Sequence, residues 1–489
     1  MLPVPDPSKR KRATIGILVG LLLAALDGTV VATALPAILD DLKGFEIAYL
    51  PVALFMLVQT VSMPIWGRLS DIYGRARFHL LAIALLIAGS ILCGLTKTFG
   101  KGMVTLSVFR MIQALGAGGI MSLSFTMIGD LFDLEERAKM QGAISSVWGL
   151  AALIGPILGS WMTKKFDWPS IFYLNVPVGV ASAILVQSSW EERPRGATAR
   201  VDAVGALLLA LASVSLLASV NLAKDLKWAE ATGGFAVTLV FALLLVAIER
   251  QRADPFIAYD LYKSRLFSTG AATGVCAMLC LFASIFYVPI LVAGVIGKGL
   301  DVGGMMLACM MLPWMICSAL TKPLLKSFGY RTLAIVGMLF ACAAYGILSR
   351  LDSAATLGAV IGAMVVLGTG LGLTVAPLLI AAQNAVTKDR LGAATSLTQF
   401  TRSMGAAVGI TVMGALFATA FGGKEPEGII RMRTHLDPSQ LRNMVGQLVV
   451  GLHHVFLTGI VVAALGVVLA LAIPSGKAAE LKVPQPAEG

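Results

Sequence analysis

Apolar residues run along this chain in long blocks separated by short polar stretches, from Ala13 to Ile473. A helix rising 1.5 Å per residue crosses the hydrocarbon layer of a membrane in about 20 residues. Each block therefore predicts one spanning helix, at about 13–36, 47–66, 78–97, 103–129, 138–162, 170–190, 203–222, 232–249, 267–296, 302–321, 332–349, 355–383, 391–421 and 452–473. Fourteen spans place both chain ends on one side. The run 203–249, around Lys224-Asp225-Leu226-Lys227, reads as an inserted pair or an amphipathic insertion, and omitting it leaves twelve spans with the same parity. The segment 422–451 reads as a polar external loop, with a helical piece inside it left open.

Composition agrees. Of 489 residues, 57% are hydrophobic and 13% charged, against about 25% charged in soluble domains. The formal charge of +11 does not point to nucleic acid, because Lys and Arg lie in short clusters between apolar blocks and not on one face. With the N-terminus inside, about 23 of the 38 Lys and Arg fall on the side of the termini. The positive-inside rule then predicts cytoplasmic termini in an inner membrane. Lys9-Arg10-Lys11-Arg12 before an apolar run resembles a signal peptide, but the run contains Asp27 and exceeds the usual apolar core of about 7–15 residues, so it is read as a retained first span. Cys93, Cys276, Cys280, Cys309, Cys317 and Cys342 all lie in apolar runs without the ligand set of a zinc site. No metal and no cofactor is expected.

Charges inside the spans carry the sharpest chemistry. Asp27 precedes Pro36 by nine residues, about 13 Å along a helix, near the middle of the membrane. An acid there costs about 2.5–3.5 kcal/mol, so it must be protonated, paired or beside a watery cavity. Arg110 in span 4 cannot neutralise and is a candidate partner that couples the charge of Asp27 to the cavity. Arg402 in span 13, followed by Gly405 and Gly409, reads as an anchor at a helix junction. Gly155-Pro156 and Gly159 offer a bend and close helix approach in span 5. Polar and soft residues in or near spans, Gln59, Gln113, Asn175, Phe286, Met310, Trp314 and Gln383, are weak candidates for contact with a small-molecule substrate.

Several segments have a recognisable spacing. After span 2 comes Gly67-Arg-Leu-Ser-Asp71-Ile-Tyr-Gly74-Arg75-Ala-Arg77, a tight basic turn with an acid. Span 1 holds Leu26-Asp27-Gly-Thr29, span 4 holds Arg110-Met-Ile-Gln113 with Gly116 and Gly118, and span 5 holds Gly142 and Gly155-Pro156-Ile-Leu-Gly159. Ile171-Phe-Tyr173-Leu-Asn175 and Arg402-Ser-Met-Gly405 add to the set. These segments resemble the signatures of the major facilitator superfamily, and within it the fourteen-span drug:proton antiporters. The chain departs from them at Ala114, Ala151 and Ser160, and the second-half counterpart of the loop, Lys322 to Arg331, has largely lost the pattern.

The resemblance implies an all-α integral membrane fold of two six-helix bundles plus two inserted central helices. The expected division is a cytoplasmic tail 1–12, a bundle 13–190, a linker with the inserted helices 191–266, a bundle 267–473 containing the external loop 422–451, and a tail 474–489. It further implies proton-driven export of small apolar or amphipathic compounds. In that scheme Asp27 and Arg110 couple the proton, and Gly67, Asp71, Gly74, Arg75, Arg77, Gly155, Pro156, Gly159 and Arg402 serve the conformational change. The partners implied are the substrate, membrane lipid and a periplasmic adaptor. The alternatives are a dedicated exporter of one metabolite or siderophore, or a non-transporting sensor. An enzyme would need a convergent nucleophile and base or a metal cluster, and the sequence shows neither.

Overall fold

The computed structural model of the chain describes residues 6–43, 47, 50–100, 102–132, 134–192, 203–224, 228–250, 259–298, 300–352, 355–387, 390–421, 438–476 and 480–481. Each apolar block forms a helix. They are α1 (Pro7–Leu42), α2 (Leu50–Tyr73), α3 (Arg75–Gly94), α4 (Gly102–Leu131), α5 (Leu134–Phe166) and α6 (Ser170–Ser189). Then follow α7 (Ala203–Lys224), α8 (Trp228–Glu249), α9 (Arg265–Val295), α10 (Leu300–Ala319), α11 (Thr321–Leu348), α12 (Leu357–Asn384), α13 (Leu391–Thr419) and α14 (Pro438–Leu471). By length and apolarity, 12 of these could cross a membrane among the described residues; α5 and α7 stand outside that set, α7 contributing the shorter stretch Val204–Ser219.

Helix ends differ from the apolar blocks because polar turns extend the rods beyond the membrane. The basic cluster expected as a tail lies in the first turns of α1, where the Asp6 side chain accepts from Ser8 N at 3.0 Å, Pro7 opens the helix, and Lys9 and Arg10 pair with Glu191 and Glu136. The stretch 438–451, expected in an external loop, is helical, because Leu441, Met444, Val445 and Leu448 form an apolar face against the second bundle. Residues 422–437 lie outside the described set. α11 begins at Thr321 and kinks at Gly329, whose φ of 71° suits only a residue without Cβ.

The helices sort into two groups with the same internal pairing. In the first, α1 packs on α5 and α6, and α4 on α2 and α3; in the second, α9 packs on α13 and α14, and α12 on α10 and α11. Ile17, Leu21, Leu86, Ala117 and Leu123 centre the first core, and Cys280, Met310, Met338, Tyr345 and Leu371 the second. Glycine lets backbones touch: a Cβ on Gly116 would overlap the backbone of Ala82 and Leu86, so α3 and α4 lie in direct contact. The six cysteines are free thiols.

α7 and α8 pack on each other, and α7 packs on both α2 and α13. Leu208 and Leu209 of α7 meet Ala394 and Leu397 of α13, with Ile65 of α2 packed beside them. α8 turns Val237, Leu239, Val240 and Leu243 outward, as a lipid-facing helix should. The groups also meet directly, chiefly through α2 with α13 and α5 with α10, and further through α4 with α13 and α5 with α11 and α12.

Candidate functional site

Four helices of the first bundle bring together one acid, one cation and a set of amides. Arg110 and Gln113 are three residues apart on α4 and so share a face, while Gly89 on α3 lies against the backbone of Gln113. That approach sets Ser90 of α3 beside them. Arg110 Nη1 pairs with Asp27 Oδ2 of α1 and also donates to Gln113 Oε1 at 2.8 Å. Gln113 Nε2 donates to Asp27 Oδ1 at 2.7 Å and to Ser90 Oγ at 2.9 Å. From α6, Asn175 Nδ2 reaches Ser90 Oγ at 2.9 Å and Asp27 Oδ1 at 3.3 Å. The guanidinium stacks 3.9 Å from the ring centre of Phe55.

Asp27 is 3% exposed and Arg110 1%, so this is a desolvated pair whose carboxylate is fully hydrogen-bonded. Adding a proton to Asp27 would remove the charge that offsets Arg110 and weaken every donor aimed at it. Open space lies next door: Gly28 is exposed, and a Cβ there would meet nothing within 4 Å. The pairing of Asp27 with Arg110 was anticipated. Gln113 and Asn175 were expected to touch substrate, but their amides are committed to Asp27 and Ser90. Ser90 was missed, since a hydroxyl within an apolar helix carries no distinguishing pattern.

A second network closes the end that carries the chain termini. The chain turns between α2 and α3 at Gly74, whose φ is 113°. Glu192 then caps α3, accepting from Arg75 N at 2.8 Å and Ala76 N at 3.0 Å. Arg75 is buried, pairs with Asp71, binds Asp130 Oδ2 at 2.9 Å and donates to Ser70 Oγ at 2.7 Å. Asp71 in turn accepts from Gly392 N at 3.2 Å and Ala393 N at 2.7 Å, at the N-terminus of α13. A carboxylate on a helix N-terminus faces the positive end of its dipole. This contact ties the first bundle to the second. Arg77 points outward and takes no part in it. Asp130 and Glu192 were not anticipated, being distant in sequence and ordinary in type, and neither was Ser70, a common residue type inside the quoted loop.

Contacts between the bundles crowd at this same end. Gly142 sits on Ala319, Gly129 on Leu391, and Gln383 Nε2 donates to Phe125 O at 3.4 Å and Thr395 Oγ1 at 3.3 Å. Gln383 is thus placed in the closed seam and not in an open chamber. A Cβ on Gly67 would overlap Ser396 Oγ and come within 2.9 Å of Gly392 O. Gly67→Val should accordingly drive the bundles apart at this end, and cysteines introduced along the seam should gain solvent reactivity; unchanged reactivity would contradict the fit described.

At the opposite end, Lys97 Nζ lies 2.6 Å from both Asp41 Oδ2 and Asp167 Oδ2. Its ammonium, together with the Trp168 indole, holds the Asp41 carboxyl below the usual carboxylate range.

The other expected residues fall into place as follows. α5 continues through Gly155-Pro156 without a break, and Gly155 and Gly159 seat it on Thr29 and Thr33 of α1. Met310 is fully buried with its carbonyl against Gly368, and so packs the second core. The Trp314 backbone lies against Gly372, and Gln59 is half-buried. Phe286 is 45% exposed. Arg402 is buried between α9, α12 and α13.

Comparison with known proteins agrees with this architecture. The model of the Major Facilitator Superfamily matches residues 17–410. Multidrug transporter protein MdtP of Bacillus subtilis (strain 168) is 30% identical over 444 residues, covering 90% of this chain and 81% of that protein. Multidrug resistance protein 3 of the same organism is 32% identical over 419 residues, covering 85% of this chain and 81% of that protein. Among solved structures, the human organic anion transporter MFSD10 superposes with a TM-score of 0.66 at 14% identity, over 95% of this chain and 100% of that one. That likeness concerns the fold.

Proposed function

The chain belongs to the Major Facilitator Superfamily and is a multi-pass membrane transporter, not an enzyme, and we propose that it exports small apolar or amphipathic compounds in exchange for protons. The observation that carries the reading is Asp27: a buried carboxylate held by Arg110, Gln113 and Asn175, beside open space at Gly28. A carboxyl group so placed can exchange a proton with water in the chamber, and its charge decides whether Arg110 is satisfied.

The rest of the cycle follows from the two networks. With the termini in the cytoplasm of a cell with an inner membrane, the end closed by the Asp71 and Gln383 contacts is the cytoplasmic one, and the open space at Gly28 is taken to be the part of a central chamber reached from outside. Asp27 takes a proton from outside, releasing Arg110 and the amides. The altered packing of α1 and α4 loosens α2 and α3, the Asp71 contact with α13 breaks, and the bundles rock about the central chamber. Substrate enters from the inside as the proton leaves. The names of the two bacterial relatives support multidrug-type substrates.

The test is dye transport by the purified protein in proteoliposomes with an imposed pH gradient. Exchange should follow the gradient in size and sign and vanish when an ionophore collapses it. Transport indifferent to the gradient would remove proton coupling from the proposal and leave the carrier.

A further inference from the structure

The second bundle carries a hollow on its outer surface that the transport cycle does not use. α11 is held on two sides, by α12 at Gly337 and Ala341 and by α14 at Met338, Cys342 and Tyr345. Its third face looks away from the protein. Along that face Leu339 is 51% and Ile347 37% exposed, and Ala343 and Arg350 are exposed as well. Their spacing of three or four residues makes one stripe of the helix.

Bulk is missing from the middle of the stripe. Ala343 and Gly346 stand between larger side chains, and a Cβ on Gly346 would meet nothing within 4 Å. The space left is a hollow of about 420 Å³ lined by Ala343, Gly346, Ile347, Arg350 and Leu351. Its apolar part lies along the last turns of α11, and its one charge stands just past the helix end at Leu348. His453 of α14 steadies that end, with Nδ1 2.9 Å from Ser349 O.

Arg331 and Arg350 are 19 residues apart, about 29 Å along a helix, and the hydrocarbon layer is about 30 Å thick. Arg350 therefore reaches the headgroups of the leaflet opposite the chain termini, while Ala343 and Gly346 lie among acyl chains. No ion pair or side-chain hydrogen bond engages Arg350 among the described residues. We propose that the hollow binds one anionic phospholipid, its phosphate paired with Arg350 and one acyl chain lying over Gly346 and Ala343. A guanidinium can give two parallel N–H bonds to phosphate oxygens. An acidic headgroup adds no second cation beside Arg350, as choline would. A second copy of the chain suits this face less, because a two-fold axis along the membrane normal would set Arg350 against its own counterpart. The site rests on the membrane-spanning fold and is independent of proton coupling at Asp27.

The experiment is native mass spectrometry of the purified full-length protein in detergent, titrated with phosphatidylglycerol or phosphatidylcholine. The first bound lipid should appear at lower concentration with phosphatidylglycerol. Arg350→Gln should raise the phosphatidylglycerol concentration for half occupancy about tenfold, which is about 1.4 kcal/mol. Gly346→Leu, which fills the hollow and keeps the charge, should weaken binding in the same direction. Arg442→Gln, removing an exposed cation of α14 outside the hollow, should leave the first bound lipid unchanged. Glycerol phosphate, a headgroup without chains, should not displace it. Unaltered half occupancy in Arg350→Gln or in Gly346→Leu overturns the proposal. So does displacement by glycerol phosphate as effective as by the lipid, or a native dimer that Gly346→Leu dissociates.

Discussion

Proteoliposomes containing Asp27→Asn are expected to show no exchange driven by a pH gradient, while substrate counterflow without a gradient persists at a reduced rate. Asparagine keeps an oxygen for Gln113 Nε2 and Asn175 Nδ2, the donors to Asp27 Oδ1, so the amide cradle survives. It cannot titrate, so no proton is carried. It also leaves Arg110, 1% exposed, without its counter-charge, and breaking a buried pair from one side costs about 3–5 kcal/mol. The thermal midpoint should therefore fall as well. Asp27→Glu restores a titratable group one methylene longer and should recover part of the gradient response. Full gradient-driven exchange in Asp27→Asn would remove this residue from the coupling step.

Removing Arg75 is expected to have the largest effect on stability. The side chain is fully buried and compensates two carboxylates, Asp71 and Asp130, besides donating to Ser70. Arg75→Ala strands both acids, so a loss of about 3–5 kcal/mol is expected, seen as a lower thermal midpoint of the purified protein. The same change loosens Asp71 from Gly392 N and Ala393 N. Combining Arg75→Ala with Asp130→Asn should recover part of the loss, because one stranded charge is then gone. A drop within the ~0–1 kcal/mol of an exposed pair would show that water reaches this network.

Much of this was legible in the sequence, for physical reasons that differ by residue. The helices were legible because lipid demands long apolar runs, and Asp27 and Arg110 because a charge in such a run stands out. Gln113 and Asn175 were visible as polar residues but not as a cradle, since nothing local says which partner an amide will find. Asp130 and Glu192 lie at helix ends far from Arg75 in sequence, and only the approach of α3 to α4 and of the α6 end to α3 reveals them. Phe286 and Met310 look alike as soft apolar residues in neighbouring spans, yet one is 45% exposed and the other fully buried. The early turns of α14 could be read only as a helical piece left open within a polar loop, because an amphipathic extension outside the membrane has too little apolar density to resemble a span.

The position of α7 across the two bundles has a bearing on how freely they can separate. Leu208 and Leu209 lean on α13, and Ile65 of α2 borders the same patch. If the bundles part at this end, α7 can follow only one of them, and the leucines it uncovers meet acyl chains instead of water. Lipid tails are about as apolar as leucine itself, so that exchange of neighbours is nearly neutral. In the proposed cycle the inserted pair would act as a sliding cover, and the choice between conformations would fall to the few charged and polar contacts of the interior.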